Sequence, residues 1–223
     1  MNHVALIPAR AGSKSIINKN LQRLGSHTIV DRAISSAKSF GKFSKIILST
    51  DIQCLVDQYL GSSEVILRPR PEALCTDDAL MRDVLLDAID ALKLPADAWI
   101  WILQPTSPFR KQSDYHHIEE LLSLRGTGSV ISVKPVGAHH PNRCYSIKMR
   151  SLYPIGYTNF KNKQDLDLIY TRSGNYYVVQ CGRFKKQKDF YLKKCRPFVV
   201  SEKDGINIDN EMDLLLARAI FNE

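Results

Sequence analysis

Three cations, a glycine and a hydroxyl fall within ten residues near the start of the chain: Arg10, Gly12, Ser13, Lys14 and Lys19. Together they suit a polyphosphate. Gly12 lets the backbone approach a ligand closely, and Ser13 adds a small donor. The cations neutralise charge that a loop of amides offsets only in part. Ala9 closes the apolar run that enters this loop, and Asn20 follows Lys19. The loop matches neither G-x-x-x-x-G-K-[ST] nor G-x-G-x-x-G, which disfavours a dinucleotide oxidoreductase. On these residues alone an ordinary solvated loop stays open.

Other groups with chemical potential sit at the ends of predicted strands. The nearly all-apolar stretch 98–103 reads as a central strand buried on both faces. It runs straight into Gln104, Pro105, Thr106, Ser107, Pro108, Phe109 and Arg110. Two prolines stiffen this turn, which then exposes Gln104, Thr106, Ser107 and Arg110 to a substrate. The plainer alternative is a strand-to-helix connection with Ser113 as cap. Arg70 lies in a proline-rich break, and Asp77 lies just before an amphipathic helix. Both fall where open α/β sheets bind ligands. Asn207 and Asp209 precede a terminal helix. Acidic residues there complement the helix dipole, with Asn210 or Asp209 as cap. Asp209 also suits Mg²⁺, which takes one or two protein carboxylates plus phosphate oxygens.

The elements that must position these groups alternate along the chain. Short apolar runs at 4–7, 45–49 and 64–67 read as strands. Between them, Ile29, Val30, Ala33, Ile34 and Ala37 recur at helical spacing after Thr28. Thr50-Asp51 stands where the N-cap of a second helix belongs. Thr76-Asp77-Asp78 is placed to cap a helix whose stripe is Met81, Val84, Leu85, Ala88, Ile89 and Leu92. Ile118, Leu121 and Leu122 continue another helix, 129–133, 176–179 and 198–200 read as strands, and a helix closes the chain. Strands alternating with helices imply an α/β fold with a mostly parallel sheet flanked by helices. From residue 134 the pattern turns proline-rich and aromatic. We expect one domain over 1–223, with an inserted β-rich arm at about 134–175.

At 223 residues, 44% hydrophobic and 24% charged, the chain can bury a full core. No run reaches transmembrane length, and the N-terminus lacks the apolar core of a signal peptide. The five cysteines are scattered, odd in number and never form C-x-x-C, which argues against a disulfide framework or a cysteine-rich zinc site and points to a reducing, cytoplasmic setting. The net charge of +8 suits either nucleic acid or a highly anionic small substrate. The densest basic runs, 183–188 and 193–196, are interleaved with Phe184, Phe190 and Tyr191. They read as a solvated face, so no nucleic-acid or membrane partner is expected.

Taken together, the segments resemble the acylneuraminate cytidylyltransferases, or CMP-sialic acid synthetases, over nearly the whole chain. Residues 7–14 with Lys19-Asn20 follow the family's opening Ile-Pro-Ala-Arg, a small residue, Gly-Ser-Lys and later Lys-Asn. Ser49-Thr50-Asp51 is similar to its second strand end. Arg70-Pro71-Glu72-Ala73-Leu74 with Asp77 is similar to its Arg-Pro-x-x-Leu-x-x-Asp segment. Residues 103–110 match Leu-Gln-Pro-Thr-Ser-Pro-[Leu/Phe]-Arg, and 208–214 resemble its closing segment.

The resemblance implies a Rossmann-like fold of the nucleotide-diphospho-sugar transferase type, and a reaction. CTP and a nine-carbon 2-keto sugar acid would give the CMP-sugar and pyrophosphate. Ala9, Arg10, Gly12, Ser13, Lys14, Lys19, Asn20, Arg70 and Asp77 would hold the nucleotide. Arg10, Lys19, Gln104 and Asp209 would act in catalysis. Gln104, Thr106, Ser107, Lys163, Arg172 and Tyr177 would face the sugar. Asp209 and Asn207 would hold Mg²⁺. The arm would make a homodimer. The alternatives are another 3-deoxy-2-keto acid such as Kdo, or a CTP-binding protein without turnover. Three positions depart from the family: Lys163 stands for an arginine, Asn207 for the first aspartate of Asp-Ile-Asp, and Ser15 for a glycine.

Overall fold

The computed structural model describes residues 1–156 and 166–221. The strands are β1 (His3–Ala9), β2 (Arg23–Leu24), β3 (His27–Thr28), β4 (Phe43–Thr50), β5 (Ile66–Pro69), β6 (Trp99–Ile102), β7 (Ser129–Pro135), β8 (Tyr145–Lys148), β9 (Ser151–Pro154), β10 (Tyr170–Gln180) and β11 (Cys195–Val199). The helices are α1 (Ile29–Phe40), α2 (Gln53–Tyr59), α3 (Met81–Ala91), α4 (Gln112–Ser123), α5 (Cys181–Gln187) and α6 (Glu211–Phe221).

A seven-stranded sheet runs in the order β11-β7-β10-β6-β1-β4-β5. Its pairings are parallel except at β10, which is antiparallel to both β6 and β7. The strand period of two separates the faces. Ala5, Ile7 and Ala9 of β1 pack with α1 and α4 through Ala33, Ala37, Tyr115 and Ile118. Val4 and Leu6 point the other way, to Leu85 and Ile89 of α3 and Phe184 of α5. A third cluster, Ile16, Leu24, Ile29, Ile206, Ile208 and Leu214, ties the first loop to α6.

Several boundaries differ from the sequence expectation. Thr28 does cap α1: its Oγ1 accepts from the Asp31 amide at 3.1 Å, and Asp31 Oδ2 accepts from the Thr28 amide at 3.2 Å. Asp51 does not cap α2, whose N-cap is Ile52. Thr76-Asp77-Asp78 does not cap α3, whose N-cap is Leu80. Ser113 does not cap α4, which starts one residue earlier behind Lys111. Asp51 and Asp77 are spent instead on the first loop. Strand β10 is longer than 176–179 because its first residues are exposed and carry no apolar signature. Strand β5 starts later than residue 64, and β11 lies earlier than 198–200.

The β-rich excursion leaves the sheet after Pro135 and returns at Tyr170, which pair with each other. Within it β8 and β9 form a separate antiparallel ribbon. No helix among the described residues is long and apolar enough to cross a membrane.

Candidate functional site

The site forms where β1, β4 and β6 end, at the carboxyl edge of the sheet. Arg10, Ser13, Lys19, Asn20, Arg70, Gln104 and Thr106 line one cleft of ≈ 180 Å³, with Pro8, Met81 and Pro105 as its apolar wall. Five of the nine expected nucleotide ligands, Arg10, Ser13, Lys19, Asn20 and Arg70, line the cleft, and Gly12 (φ +68°) and Lys14 lie in the loop that carries Arg10 and Ser13. Ala9 is fully buried in the core, so only its backbone faces the site.

The basic loop is braced. Asp51 Oδ1 accepts from the Ala11 amide at 2.7 Å, and Asn20 Nδ2 donates to the Arg10 carbonyl at 2.8 Å. Asp77 faces the loop cations. Its Oδ1 takes Arg10 Nη2 and its Oδ2 takes Lys14 Nζ, each at 2.6 Å. The Lys14 ammonium and the Arg10 guanidinium hold the Asp77 carboxyl below its usual range. Arg70 is buried, and Nη2 donates to the Ser49 carbonyl at 3.1 Å while Nε has no partner among the described residues. Burial lowers its proton affinity, and Asp51 partly restores it.

The other wall comes from the turn after β6 and from the segment before α6. Arg110 donates from Nη2 to the Gln104 carbonyl at 2.7 Å and from Nε to the Asn175 carbonyl at 2.9 Å, fixing the turn from behind. Ile206 and Ile208 are buried, and the Ile208 amide donates to the Thr106 carbonyl at 2.8 Å. Alternation then turns Asn207 and Asp209 to the opposite side. Lys19 Nζ donates to the Asp209 carbonyl at 3.1 Å and lies 3.7 Å from its Oδ1. Asn210 and Asp213 exchange bonds at the start of α6, so Asn210 caps and Asp209 does not.

Some expected ligands are placed otherwise. Ser107 is fully buried, its Oγ 3.2 Å from Asn207 Oδ1 and 3.3 Å from the Ser173 carbonyl, so it is not exposed to a sugar. Arg110 likewise serves the turn rather than a ligand in the cleft. Arg172 and Tyr177 do not line the cleft, and Tyr177 packs on Phe190. Lys163 lies outside the described residues. Asn207 Nδ2 donates to Asp209 Oδ2 at 2.6 Å while its carbonyl oxygen meets Ser107. Its amide thus braces Asp209, and its carbonyl oxygen is engaged by the Ser107 hydroxyl.

Among the described residues, no three His, Cys, Asp or Glu side chains gather into a metal cage. Asp209 is exposed and offers one carboxylate. That donor set fits Mg²⁺ completed by phosphate oxygens and waters, and does not fit a cation held by protein alone.

Sequence reasoning missed three contributors. Asp51 was legible only as a cap. Arg110 was legible as a substrate-facing group, not as the support behind the turn. Gly174 stands at φ +85° in the irregular register of β10, where a Cβ would come within 2.7 Å of Ser107 Oγ and 3.1 Å of Gln104 Oε1. In sequence Gly174 stands just before the apolar run 176–179, so only the longer observed strand marks it as a glycine within a strand.

Comparison with known proteins fits this geometry. The chain is 30% identical over 228 residues to the CMP-N,N'-diacetyllegionaminic acid synthase of Legionella pneumophila, covering 99% of this chain and 97% of that protein. It is 28% identical over 228 residues to the N-acylneuraminate cytidylyltransferase of Escherichia coli O18:K1:H7, covering 97% of this chain and 51% of that protein, so it spans about half of that relative's length. Among solved structures, CMP:2-keto-3-deoxy-manno-octonic acid synthetase complexed with CTP matches in fold with a TM-score of 0.71 at 16% identity, over 100% of this chain and 99% of that one. A 2-C-methyl-D-erythritol 4-phosphate cytidylyltransferase from Francisella tularensis matches with a TM-score of 0.69 at 17% identity, over 99% of this chain and 100% of that one. Residues 4–206 match the family described as Cytidylyltransferase, and the chain belongs to that family of nucleotidyltransferases.

Proposed function

We propose that the protein transfers the cytidylyl group of CTP to the anomeric hydroxyl of a nine-carbon, sialic-type 2-keto sugar acid, giving the CMP-sugar and pyrophosphate. The observation that carries this is the cleft itself: Arg10, Lys19 and Arg70 converge on one side, and Gln104 and Thr106 on the other. The likeness to synthases of CMP-activated sugar acids over nearly the full chain supports the choice of acceptor.

Such a transfer depends on positioning and on stabilising charge at the phosphorus. Arg10 and Lys19 hold the triphosphate, with the amides around Gly12 and Ser13 completing the cradle. Asn20 fixes the loop through the Arg10 carbonyl. Gln104 orients the sugar acid so that its anomeric hydroxyl faces the α-phosphorus. Lys19 also fixes Asp209 through its carbonyl, which joins both walls of the cleft. Asp209 would hold Mg²⁺ together with phosphate oxygens, and the ion would supply charge screening for the leaving pyrophosphate.

The working unit in this proposal is a cytoplasmic homodimer. Its support is apolar exposure on the arm: Ile147 and Leu152 face each other across β8 and β9 and are 75% and 65% exposed. A set of this kind marks an interaction surface. The test is pyrophosphate release from CTP and Mg²⁺ with N-acetylneuraminic, legionaminic and pseudaminic acids and Kdo. Release with a nine-carbon acid, lost in Arg10→Ala, is expected. Release with Kdo alone, or CTP binding without release for any acid, overturns the proposal.

A further inference from the structure

A second cavity lies behind the turn that carries Gln104. It encloses ≈ 300 Å³ and is lined by His27, Arg32, Ser35, Ser36, Ser39, Pro108 and Arg110. It shares no lining residue with the nucleotide cleft. Two guanidiniums, an imidazole and three hydroxyls face it, and among the described residues no carboxylate does.

The polar groups of this cavity are unevenly spent. Arg32, Ser35, Ser36 and Ser39 share one face of α1 at helical spacing. Arg32 forms no ion pair among the described residues; its guanidinium lies 4.3 Å above the Phe221 ring, and its buried Nε has no partner. A guanidinium stacked by its face keeps its edge donors for an in-plane anion. Arg110 spends Nε and Nη2 on the Asn175 and Gln104 carbonyls, which leaves Nη1 for a ligand. Ser36 and Ser39 are engaged with Tyr115 and the Ser36 carbonyl, and His27 Nδ1 meets Ser26 Oγ at 2.8 Å, leaving His27 Nε2 and the exposed Ser35 hydroxyl. Burial lowers the proton affinity of both arginines, and around Arg110 the Tyr115, Tyr176 and Asp114 side chains act against it.

We infer that this cavity is a second anion site, distinct from the nucleotide cleft, that takes a phosphate group between Arg32 and Arg110. The ligand is either inorganic phosphate or a small phosphate monoester; both present the same tetrahedral oxyanion to the two forks. Because Arg110 also holds the Gln104 carbonyl, the bound anion would sit directly behind the turn of the active cleft.

The test is calorimetric titration of inorganic phosphate, with glycerol phosphate in a parallel titration, into the full chain and three variants. Wild type and Arg10→Ala are expected to bind one phosphate with similar affinity, since Arg10 serves only the other cleft. Arg32→Gln removes two edge donors and should weaken binding by about tenfold or more. Ser35→Asp places a carboxylate at an exposed position of the rim and should abolish it without unfolding the chain, as thermal unfolding would verify. Tighter binding of the monoester identifies an esterified ligand, and tighter binding of the ion a free one. Binding that is lost in Arg10→Ala and kept in Arg32→Gln or Ser35→Asp, or no phosphate binding in wild type, overturns the inference.

Discussion

Gly174 shows how tightly single residues are held at the cleft. Alanine there must adopt φ +85° and fit a methyl 2.7 Å from Ser107 Oγ and 3.1 Å from Gln104 Oε1. Gly174→Ala is expected to cost about 1–3 kcal/mol in chemical denaturation. It should also lower turnover by roughly tenfold to a hundredfold, because Gln104 shifts. Asn207 allows a second prediction. Its amide donates to Asp209 Oδ2 at 2.6 Å, so Asn207→Asp sets two carboxylates against each other. The variant should unfold about 1 kcal/mol more easily than wild type without divalent ions, by analogy with other like-charge contacts. Adding Mg²⁺ should restore it, whereas wild type should respond less; thermal unfolding with and without Mg²⁺ reads both. Asp77 is the third residue of this kind. Its carboxylate neutralises Arg10 and Lys14 in the position where an anionic ligand would do so. Asp77→Asn should tighten CTP binding severalfold by calorimetry, and weaker binding would mean that Asp77 orders the loop more than it competes with the nucleotide.

At the scale of elements, α1 was legible because Ile29, Val30, Ala33, Ile34 and Ala37 recur at helical spacing, and all five are buried. Thr28→Ala removes a reciprocal cap and should cost about 1 kcal/mol by denaturant unfolding. The central strands were legible for a similar reason: strands buried on both faces are apolar throughout. What the sequence hid follows a physical rule. A carboxylate that caps a helix and one that braces a loop look identical in sequence, and both do so by accepting backbone amides or side-chain donors. Asp51 accepts the Ala11 amide forty residues away, and nothing local to Asp51 announces that. The cleft residues on β1 and β6 were readable from their loops because each follows an unmistakable strand. Ser107 was misplaced because a polar residue in a proline turn carries no mark of which way it faces; here the 206–208 segment packs over it and buries it.

At the scale of the molecule, one buried histidine links stability to pH. His3 is packed against Trp101 and Phe40, and Trp101 Nε1 donates to its Nδ1 at 3.0 Å. Burial lowers its pKa, and Glu119 opposes this only in part. The folded protein therefore binds this proton less readily than the unfolded chain does. The stabilisation is full above the usual histidine value of about 6.5 and is lost as pH falls from there toward the depressed folded value. The urea midpoint should fall as pH drops from about 7 to about 5.5, and His3→Asn, which keeps an acceptor for Trp101, should flatten that dependence. The arm belongs to this scale too. Leu152→Asp puts a charge on its exposed apolar face and should convert the proposed dimer to monomer by light scattering, with the sheet's stability nearly unchanged.

The contact between Lys19 and Asp209 joins residues 190 positions apart. A chain is synthesised from its N-terminal side, so the basic loop leaves the ribosome well before its acidic counterpart. Until α6 has emerged, Ile16, Leu24 and Ile29 lack Ile206, Ile208 and Leu214 to pack on. A nascent chain can thus carry a finished sheet while the cleft still lacks the wall that Asp209 supplies.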